Sequence, residues 1–364
     1  MRILRNYILK EFFGFFLLSL GLFTFVMLMG NFIRMANLII NKGADLVGIL
    51  KLFFYLIPYL LTYTIPISIL NGLLLSLGRL SSDNEILAIR AVGLNIIYLI
   101  IPLLIIGLIF SLFLLILNDT FIPYSHFATR RVITEVGLKN PSVFLEPGVF
   151  IDAFQNYIIF IYHIQDNKLF NIRIYQPQPD NRPARTIIAK KGEFISIPEK
   201  AMIKLKLIDG TADEPDPDNP YNFYKLNFKA YFLNLNLGSG TSAQNEKKLK
   251  DMNFKELKQY IEKMKNMKID YSPVVVHLNE RIAISFSCII FMLVGAAVAL
   301  FTRRKEKSIN LGLAFLIVGV YYLLLLLGES LSINKLINPI AGIWLPNFIF
   351  GGLGAFLLYR VCEA

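Results

Sequence analysis

The sequence predicts an α-helical membrane protein with six transmembrane helices and an extracytoplasmic antiparallel β domain inserted between the third and fourth helices. Three observations lead to this fold. Hydrophobic residues make up 55% of the 364 residues and charged residues only 17%, whereas a soluble domain has ~25% charged residues. Six apolar runs are long enough to cross a bilayer. The long segment between the third and fourth runs is polar and shows the two-residue period of β-strands.

Each apolar run has about the length of a helix that crosses the hydrocarbon core, which takes ~20 residues. Charged residues occur only at the ends of these runs. The runs are Phe12–Ile33, Leu52–Leu77, Ile96–Leu117, Ile282–Phe301, Ile309–Leu327 and Ile340–Tyr359. The first follows basic residues, as a signal peptide would, but it exceeds the ~7–15 residues of a signal-peptide core and no cleavage site follows promptly. We therefore expect this run to be retained as an anchor.

Basic residues in the short connections predict the orientation, because they are enriched on the cytoplasmic side. With the N-terminus in the cytoplasm, ten basic residues lie inside and four lie outside. The inside residues are Arg2, Arg5, Lys10, Arg79, Arg90, Arg303, Arg304, Lys305, Lys307 and Arg360, and the outside residues are Arg34, Lys42, Lys51 and Lys335. Both termini are therefore expected in the cytoplasm. The net charge of +11 reflects this topology, and no nucleic-acid-binding motif accompanies it.

Residues 118–272 are predicted to form the extracytoplasmic β domain. In Met202–Leu207 and in Tyr231–Leu237, apolar and polar residues alternate as in strands that bury one face. Clusters of Gly, Pro and Asp separate the apolar runs, as turns do. Six or more short antiparallel strands in a sandwich or an open roll fit this pattern.

A linker helix is predicted to return the chain to the membrane. In Asn253–Met267, apolar residues recur at helical spacing among many lysines. The simple interpretation is a solvated helix that packs on the β domain, and the alternative is a helix that binds the lipid surface. The predicted organisation is helices 1–3 in residues 1–117, the β domain with its linker helix in residues 118–272, and helices 4–6 in residues 273–364.

Sequence motifs for catalysis are missing. The chain has no Gly-Lys dipeptide, which a phosphate-binding P-loop requires, and no G-x-S-x-G motif of a serine hydrolase. His126, His163 and His277 stand apart from one another and from Cys288 and Cys362, so the spacing of a zinc site does not occur. We predict that the chain is not an enzyme and that it binds no metal or cofactor.

The connection between the second and third runs is predicted to contain a short cytoplasmic helix at residues 82–92. Ser82 and Glu85 have the spacing of a capping box, and Gly93 suits the left-handed position after a helix. The segment between them combines apolar and charged residues, namely Ile86, Leu87 and Ile89 with Asp83, Glu85 and Arg90. The simple interpretation is a turn resting on the lipid headgroups. The functional interpretation is a coupling helix that sits in a groove of a cytoplasmic motor.

Three basic residues at the outer ends of the helices are candidates for binding an anionic lipid. Arg34 and Lys42 follow the first run, and Arg281 opens the fourth. Basic side chains commonly anchor a helix by extending to the interface. The functional alternative for Arg34 and Lys42 is a pair of cations that bind the phosphates of a lipid arriving from the bilayer. For Arg281, beside Glu280, the simple alternative is a local ion pair.

Prolines and small residues mark positions of bending and of close packing. Pro58 and Pro66 lie eight residues apart within the second run, where each removes a backbone hydrogen bond. A static kink is the simple interpretation, and a hinge is the functional one. The small residues at 295–297 and 351–355 permit close approach of helices, within the chain or against a second subunit.

This arrangement resembles the LptF/LptG (YjgP/YjgQ) family of lipopolysaccharide-export permeases. The order of three helices, a β domain of this size and three further helices is similar over essentially the whole chain. The segment Asp83–Gly93 resembles the coupling helix of that family, with an acidic residue followed by small and apolar positions and a glycine. Leu249–Arg281 resembles its linker helix with a charged start to the fourth membrane helix, although Asn279 and Glu280 occupy positions where variable polar residues are expected.

The resemblance implies a place in an ATP-driven machine of the bacterial inner membrane. The partners would be a dimer of a cytoplasmic LptB-like ABC ATPase, a second LptF or LptG permease, periplasmic bridge proteins of the LptC/LptA type, and lipopolysaccharide. The β domain would resemble a jellyroll that passes lipid to the bridge. Arg34 would match a basic position that contacts lipid phosphates, whereas Lys42 and Arg281 are lipid-binding candidates only from their positions at the helix ends. The residues implied in coupling to the ATPase are Asp83, Glu85, Ile86, Ile89 and Arg90.

Two other functions remain open from the residues alone. One is a permease of the same architecture that exports a different anionic lipid or a lipoprotein. The other is a membrane-anchored scaffold or sensor whose β domain binds a partner and which transports nothing. An ion-coupled transporter fits less well, because the apolar runs contain almost no ionisable residues.

Overall fold

The chain forms two compact units in the computed structural model. The structure describes residues 2–40, 45–139, 147–154, 157–165, 168–177, 184–197, 202–215, 223–235, 247–301 and 307–363. The first unit, called the membrane unit, consists of Met1–Asn31, Tyr55–His126 and Lys248–Ala364. The second, called the β unit, consists of Phe32–Phe54 and Phe127–Lys247.

The described residues contain nine α-helices, and six helical segments are long and apolar enough to cross a membrane. The helices are α1 (Arg2–Ile40), α2 (Leu46–Ser82), α3 (Glu85–Ala91), α4 (Ile97–Ile116), α5 (Ile122–Lys139), α6 (Phe254–Asn266), α7 (Ser272–Phe301), α8 (Lys307–Ile333) and α9 (Pro339–Glu363). The membrane-crossing segments are Arg2–Ile33, Leu46–Ser82, Ile97–Ile133, Ser272–Phe301, Asn310–Ile333 and Pro339–Val361. The prediction of six spans is therefore confirmed.

The third segment extends well beyond the apolar run that predicted it. α4 continues through a π-helical turn at Leu117–Phe121 into α5, without a break in helical structure. The apolar run ends at Leu117 because hydropathy reports which residues suit lipid, and a helix can continue after its sequence becomes polar.

α7 lies at the centre of the membrane unit. Its residue Phe291 is fully buried, as is Tyr321 of α8, and their rings meet edge to face at 4.9 Å. The Tyr321 hydroxyl donates a hydrogen bond to Oδ1 of Asn347 on α9 at 2.8 Å, and Nδ2 of Asn347 donates to the Ala283 carbonyl of α7 at 3.0 Å. These polar contacts join three helices, in the way that buried polar side chains join helices within membranes.

Glycines allow close approaches between the membrane helices. Gly354 of α9 faces α7, where an added Cβ would lie 3.1 Å from the backbone nitrogen of Val294. Gly295 of α7 packs against Leu70 and Leu73 of α2. Both predicted small-residue segments thus contribute to packing within the chain.

The described residues of the β unit form six antiparallel strands in one sheet, ordered as they occur in the sequence. The strands are β1 (Phe150–Phe154), β2 (Tyr157–Gln165), β3 (Lys168–Gln176), β4 (Arg185–Ile197), β5 (Met202–Pro215) and β6 (Phe223–Leu235). Leu205, Leu207, Leu233 and Leu235 are buried in its core, as the alternation in β5 and β6 predicts. Among the strands that the structure describes, this sequential order is that of a single antiparallel meander, and it shows no second sheet of the predicted sandwich.

Stability is expected to fall at low pH because of one exposed ion pair. The Asp270 carboxylate accepts a hydrogen bond from the backbone amide of Ser272 at 3.0 Å and lies 2.9 Å from Nζ of Lys335. The amide first, and then Lys335, lower the pKa of Asp270 from 3.8 to about 2. A lowered folded-state pKa stabilises the fold above pH 3.8, and this contribution is lost as the pH falls towards about 2.

Thermal unfolding of the wild type and of Asp270→Asn at pH 5 and at pH 2.5 would test this contribution. We expect the difference in Tm between the two proteins to shrink at the lower pH. The explanation fails if the difference is the same at both pH values.

Candidate functional site

The connection between α2 and α3 differs from the predicted capping box. α2 continues to Ser82, whose Oγ donates a hydrogen bond to the Arg79 carbonyl at 2.8 Å. Asn84 is the N-cap residue of α3, in the left-handed conformation with φ of 58°, and its side chain makes no capping hydrogen bond. Glu85 accepts a hydrogen bond from Tyr7 instead. The predicted capping box is therefore wrong, because its two members are engaged within α2 and with α1.

The predicted end of this helix is confirmed. Gly93 has a φ of +77°, a conformation that costs glycine little. Its N–H donates to the Arg90 carbonyl at 2.9 Å, and the N–H of Leu94 donates to the Ile89 carbonyl at 3.3 Å. These two bonds form a Schellman motif, which satisfies carbonyls at the end of a helix.

One face of α3, called here the inward face, is attached to three membrane helices. The Tyr7 hydroxyl of α1 donates to Oε1 of Glu85 at 3.2 Å, and Nη2 of Arg79 in α2 donates to the same hydroxyl at 2.9 Å. Ile86 packs against the main core of the membrane unit. Nη2 of Arg90 donates to the Val361 carbonyl of α9 at 2.8 Å. A displacement of α3 would therefore act on α1, α2 and α9 together.

The opposite face of α3, called here the outward face, is exposed and largely apolar. Leu87 is 57% exposed and Val92, the C-cap residue, is 78% exposed. Ala88 and Ala91 lie between them and are also exposed. Residues that follow one another at intervals of three and four share a face of a helix, so this face forms a small apolar surface.

The residues implied in coupling to an ATPase fall on different faces of this helix. Asp83 is exposed in the turn before α3, whereas Glu85, Ile86, Ile89 and Arg90 are partly buried. Sequence reasoning missed Leu87 and Val92, which are the exposed apolar residues. Because α3 has apolar residues on both faces, the pattern could not show which face packs on the bundle.

Arg281 of α7 is buried and holds the segment that precedes α6. It is 6% exposed. Nη1 donates to the Met252 carbonyl at 2.8 Å, and Nη2 donates to the carbonyls of Lys250 at 2.8 Å and of Leu249 at 3.4 Å. Among the described residues, Arg281 therefore does not form the local ion pair with Glu280 that its position suggested. The Glu280 carboxylate lies 3.6 Å from Nδ1 of His277 instead.

The same segment has a second attachment, to the π-helical turn between α4 and α5. Oδ1 of Asp119 accepts a hydrogen bond from the backbone N–H of Phe254 at 2.7 Å. Asn253 caps α6 by accepting from the Glu256 amide at 2.8 Å, and Glu256 returns the contact by accepting from the Asn253 amide at 3.0 Å. The start of α6 is thus fixed to the membrane unit.

The side chains of the other two candidate lipid-binding residues lie outside the described part of the chain. Arg34 lies within α1, but its side chain is outside the described part, and Lys42 lies outside the described residues altogether. Pro58 and Pro66 both lie inside α2, which remains one helix in the secondary structure. A hinge at these prolines stays a prediction.

The described residues contain no group of three or more His, Cys, Asp or Glu side chains that could hold a metal ion. Cys288 is a free cysteine, fully buried in α7.

One known protein family matches the chain almost from end to end. The family model described as "Lipopolysaccharide export system permease LptF/LptG" matches residues 6–360. No curated protein matches the sequence. The matched residues include α3, all six strands described for the β unit and the whole of the four inner membrane-crossing segments. Of the first and the last segments, only residues 2–5 and residue 361 lie outside the match.

Proposed function

Because the chain belongs to the LptF/LptG family of lipopolysaccharide export permeases in the inner membrane, we propose that it is the permease subunit of an ATP-driven lipopolysaccharide exporter. A separate cytoplasmic ATPase of the LptB type, present as a dimer, hydrolyses the ATP. Both termini and α3 are cytoplasmic, and the β unit is periplasmic. The chain extracts lipid from the inner membrane and passes it to a periplasmic bridge.

The observation that supports this proposal best is the division of α3 into two faces. A helix that transmits force from a motor needs an exposed surface for the motor and firm attachment to the part that moves. The outward face provides an exposed apolar surface with Leu87 and Val92. The inward face provides contacts to α1, α2 and α9 through Tyr7, Arg79 and Val361.

We propose that ATP-driven closure of the ATPase dimer moves α3 and that α2 carries the motion across the membrane. Pro58 and Pro66 leave carbonyls of α2 without their usual intrahelical partners, which makes bending at these positions less costly. The motion narrows a lipid cavity between this chain and a second LptF or LptG permease. Arg34 and Lys42, near the outer end of α1, bind lipid phosphates before the cavity closes.

The unpaired edge of β6 is an observation in favour of a periplasmic bridge partner. β6 pairs with β5 along most of its length, and no strand among the described residues pairs with its other side. A free strand edge offers backbone donors and acceptors to a strand of another protein. In this proposal an LptC- or LptA-type bridge protein extends the sheet there.

Substituting Leu87 by glutamate is expected to lower the amount of ATPase that co-purifies with the permease. Burying a leucine contributes ~1.5–3 kcal/mol to association, which corresponds to about tenfold or more in affinity. The measurement is gentle detergent purification of the tagged chain from its native membrane, followed by mass spectrometry of the bound proteins. Membrane insertion should be unchanged.

The matched control is Leu336→Glu, because Leu336 is 71% exposed in the short connection between α8 and α9. This variant should retain the ATPase at the wild-type level. Equal ATPase recovery with Leu87→Glu and with the wild type would contradict a docking role for the outward face.

The same purification separates the proposal from its two alternatives. A wild-type chain that yields no nucleotide-binding subunit, under conditions that preserve other membrane complexes, would favour a scaffold or sensor. A bound lipid other than lipopolysaccharide would favour an exporter of a different anionic lipid.

A further inference from the structure

A polar cavity lies in the membrane unit where the apolar runs of its helices end. Its volume is about 270 Å³, and its lining includes Tyr59 of α2, Lys250 before α6, His277 and Glu280 of α7, and Glu329 of α8. Glu280 lies two residues before the apolar run Ile282–Phe301 of α7, and Glu329 lies two residues after the run Ile309–Leu327 of α8. The cavity is therefore at the depth of lipid headgroups, where charged groups cost much less than in the hydrocarbon core.

Polar groups of two side chains in this cavity have no hydrogen-bond partner among the described residues. Nδ1 of His277 lies 3.6 Å from Oε2 of Glu280. With the proton on Nδ1, the other ring nitrogen, Nε2, is an acceptor. That nitrogen is buried and has no hydrogen-bond partner among the described residues. The carboxylate of Glu329 also has no hydrogen bond or ion pair with any residue that the structure describes.

The basic residues of the cavity do not satisfy these acceptors. Arg281 also lines the cavity, but it directs its hydrogen bonds to the carbonyls of Leu249, Lys250 and Met252. Lys250 is exposed and forms no ion pair with a described carboxylate. The cavity thus has two carboxylates and two basic groups that are not paired with each other.

Aromatic rings form part of the wall. The ring centroids of Tyr59 and Tyr63 are 5.4 Å apart, and those of Tyr59 and His126 are 5.6 Å apart. Tyrosine rings attract ammonium groups through cation–π interactions. Acceptors without donors, two carboxylates and tyrosine rings together suit a ligand that carries N–H donors and a positive charge.

We propose that this cavity binds a zwitterionic lipid headgroup with a primary amine, of the phosphoethanolamine class. The ammonium group donates hydrogen bonds to Glu280, Glu329 and Nε2 of His277, and the phosphate lies toward the exposed ammonium of Lys250. A lipid is the occupant because the cavity is at headgroup depth. The site is separate from Arg34 and Lys42, which the proposed function assigns to lipid phosphates.

Native mass spectrometry of the purified, delipidated full chain tests this inference. The probes are phosphatidylethanolamine, phosphatidylglycerol and phosphatidylcholine with identical acyl chains. Phosphatidylcholine keeps the positive charge but has no N–H donor, and phosphatidylglycerol has no amine. We expect the wild type to bind phosphatidylethanolamine about tenfold more tightly than either other lipid, the effect of one charge-assisted hydrogen bond.

Glu329→Gln is expected to remove this preference while leaving the thermal stability of the chain unchanged. Glu280→Gln, which changes the second carboxylate, should weaken it as well. The matched control is Glu262→Gln, because Glu262 is exposed on α6 and lies outside the cavity lining. That variant should keep the wild-type preference.

Equal binding of the three lipids by the wild type, or an unchanged preference in Glu329→Gln, would overturn the inference. Soluble phosphoethanolamine is the remaining probe, and binding of this compound as tight as that of the lipid would overturn the assignment to a lipid. These measurements use the permease chain alone, so their outcome is independent of whether an ATPase binds α3.

Discussion

Substituting Arg281 by alanine is expected to destabilise the membrane unit by roughly 3 kcal/mol, the value of one or two hydrogen bonds from a charged donor. The side chain is buried and donates to the carbonyls of Leu249, Lys250 and Met252. Its removal takes this donor away from all three carbonyls, although that of Leu249 still accepts from the Met252 N–H at 3.4 Å. The loss is smaller than the sum of three such bonds, because water at headgroup depth can replace some of them.

Two measurements would detect this change. Trp344 is the single tryptophan of the chain, and its indole N–H donates to Oδ1 of Asn279 on α7 at 3.3 Å. Its fluorescence therefore reports thermal unfolding of the contact between α7 and α9. Trypsin cleavage after Lys250 reports local release of the segment that Arg281 holds, and we expect it to become faster in the variant.

Arg360→Ala is the matched control for the arginine substitution. Arg360 is exposed on α9, with its guanidinium 5.4 Å from the centroid of the Phe356 ring, so its loss should change both readouts little. If Arg281→Ala shows the cleavage rate and the unfolding temperature of the control, the anchoring role of Arg281 is wrong.

A single added methyl group at Gly328 is expected to destabilise the contact between α8 and α9 by about 2 kcal/mol, within the range of ~1–3 kcal/mol for overpacking. A Cβ at this position would overlap the carbonyl of Gly342, with the carbonyl carbon only 2.8 Å away. Backbone atoms cannot rotate aside as a side chain can. The two helices would have to separate in Gly328→Ala.

Gly319→Ala is the control for this substitution, because Gly319 is on the same helix and an added Cβ would have no atom within 4 Å. Alanine favours helix over glycine by ~1 kcal/mol, so this variant should be as stable as the wild type or more stable. Thermal unfolding of the three proteins in detergent gives the comparison. Equal unfolding temperatures for the two alanine variants would refute the close contact at Gly328.

The parts of the fold that the sequence predicts well depend on local patterns. Apolar runs of about twenty residues predict all six spans, because the bilayer requires that length wherever a helix crosses it. Alternation in Met202–Leu207 predicts the burial of Leu205 and Leu207. Gly93 predicts the end of α3 because its left-handed conformation is a property of a few neighbouring residues.

The parts that the sequence does not predict depend on contacts between distant residues. Glu85 has capping-box spacing from Ser82, but it contacts Tyr7, which lies 78 residues earlier. Arg281 contacts carbonyls 29 to 32 residues before it. Gly328 and Gly342 meet only because α8 and α9 cross there. No local pattern distinguishes such residues from glycines and charges that have no partner.

The candidate site shows the same limit within one short helix. The pattern located α3 and its C-terminal end, yet it could not separate Ile86, which packs inward, from Leu87, which is exposed. Both are large aliphatic residues in adjacent positions. Which face of α3 packs inward depends on its contacts with Tyr7, Arg79 and Val361, which belong to other helices.

Substitutions on the two faces of α3 have different consequences for the permease fold. A change on the inward face disturbs contacts within the permease, so it must be compensated on α1, α2 or α9. A change at Leu87 or Val92 needs no compensating change on another helix, because both residues are exposed. The outward face can therefore change without cost to the fold, and in the proposed exporter an exchange of these few residues between paralogues would redirect one permease to the motor of another.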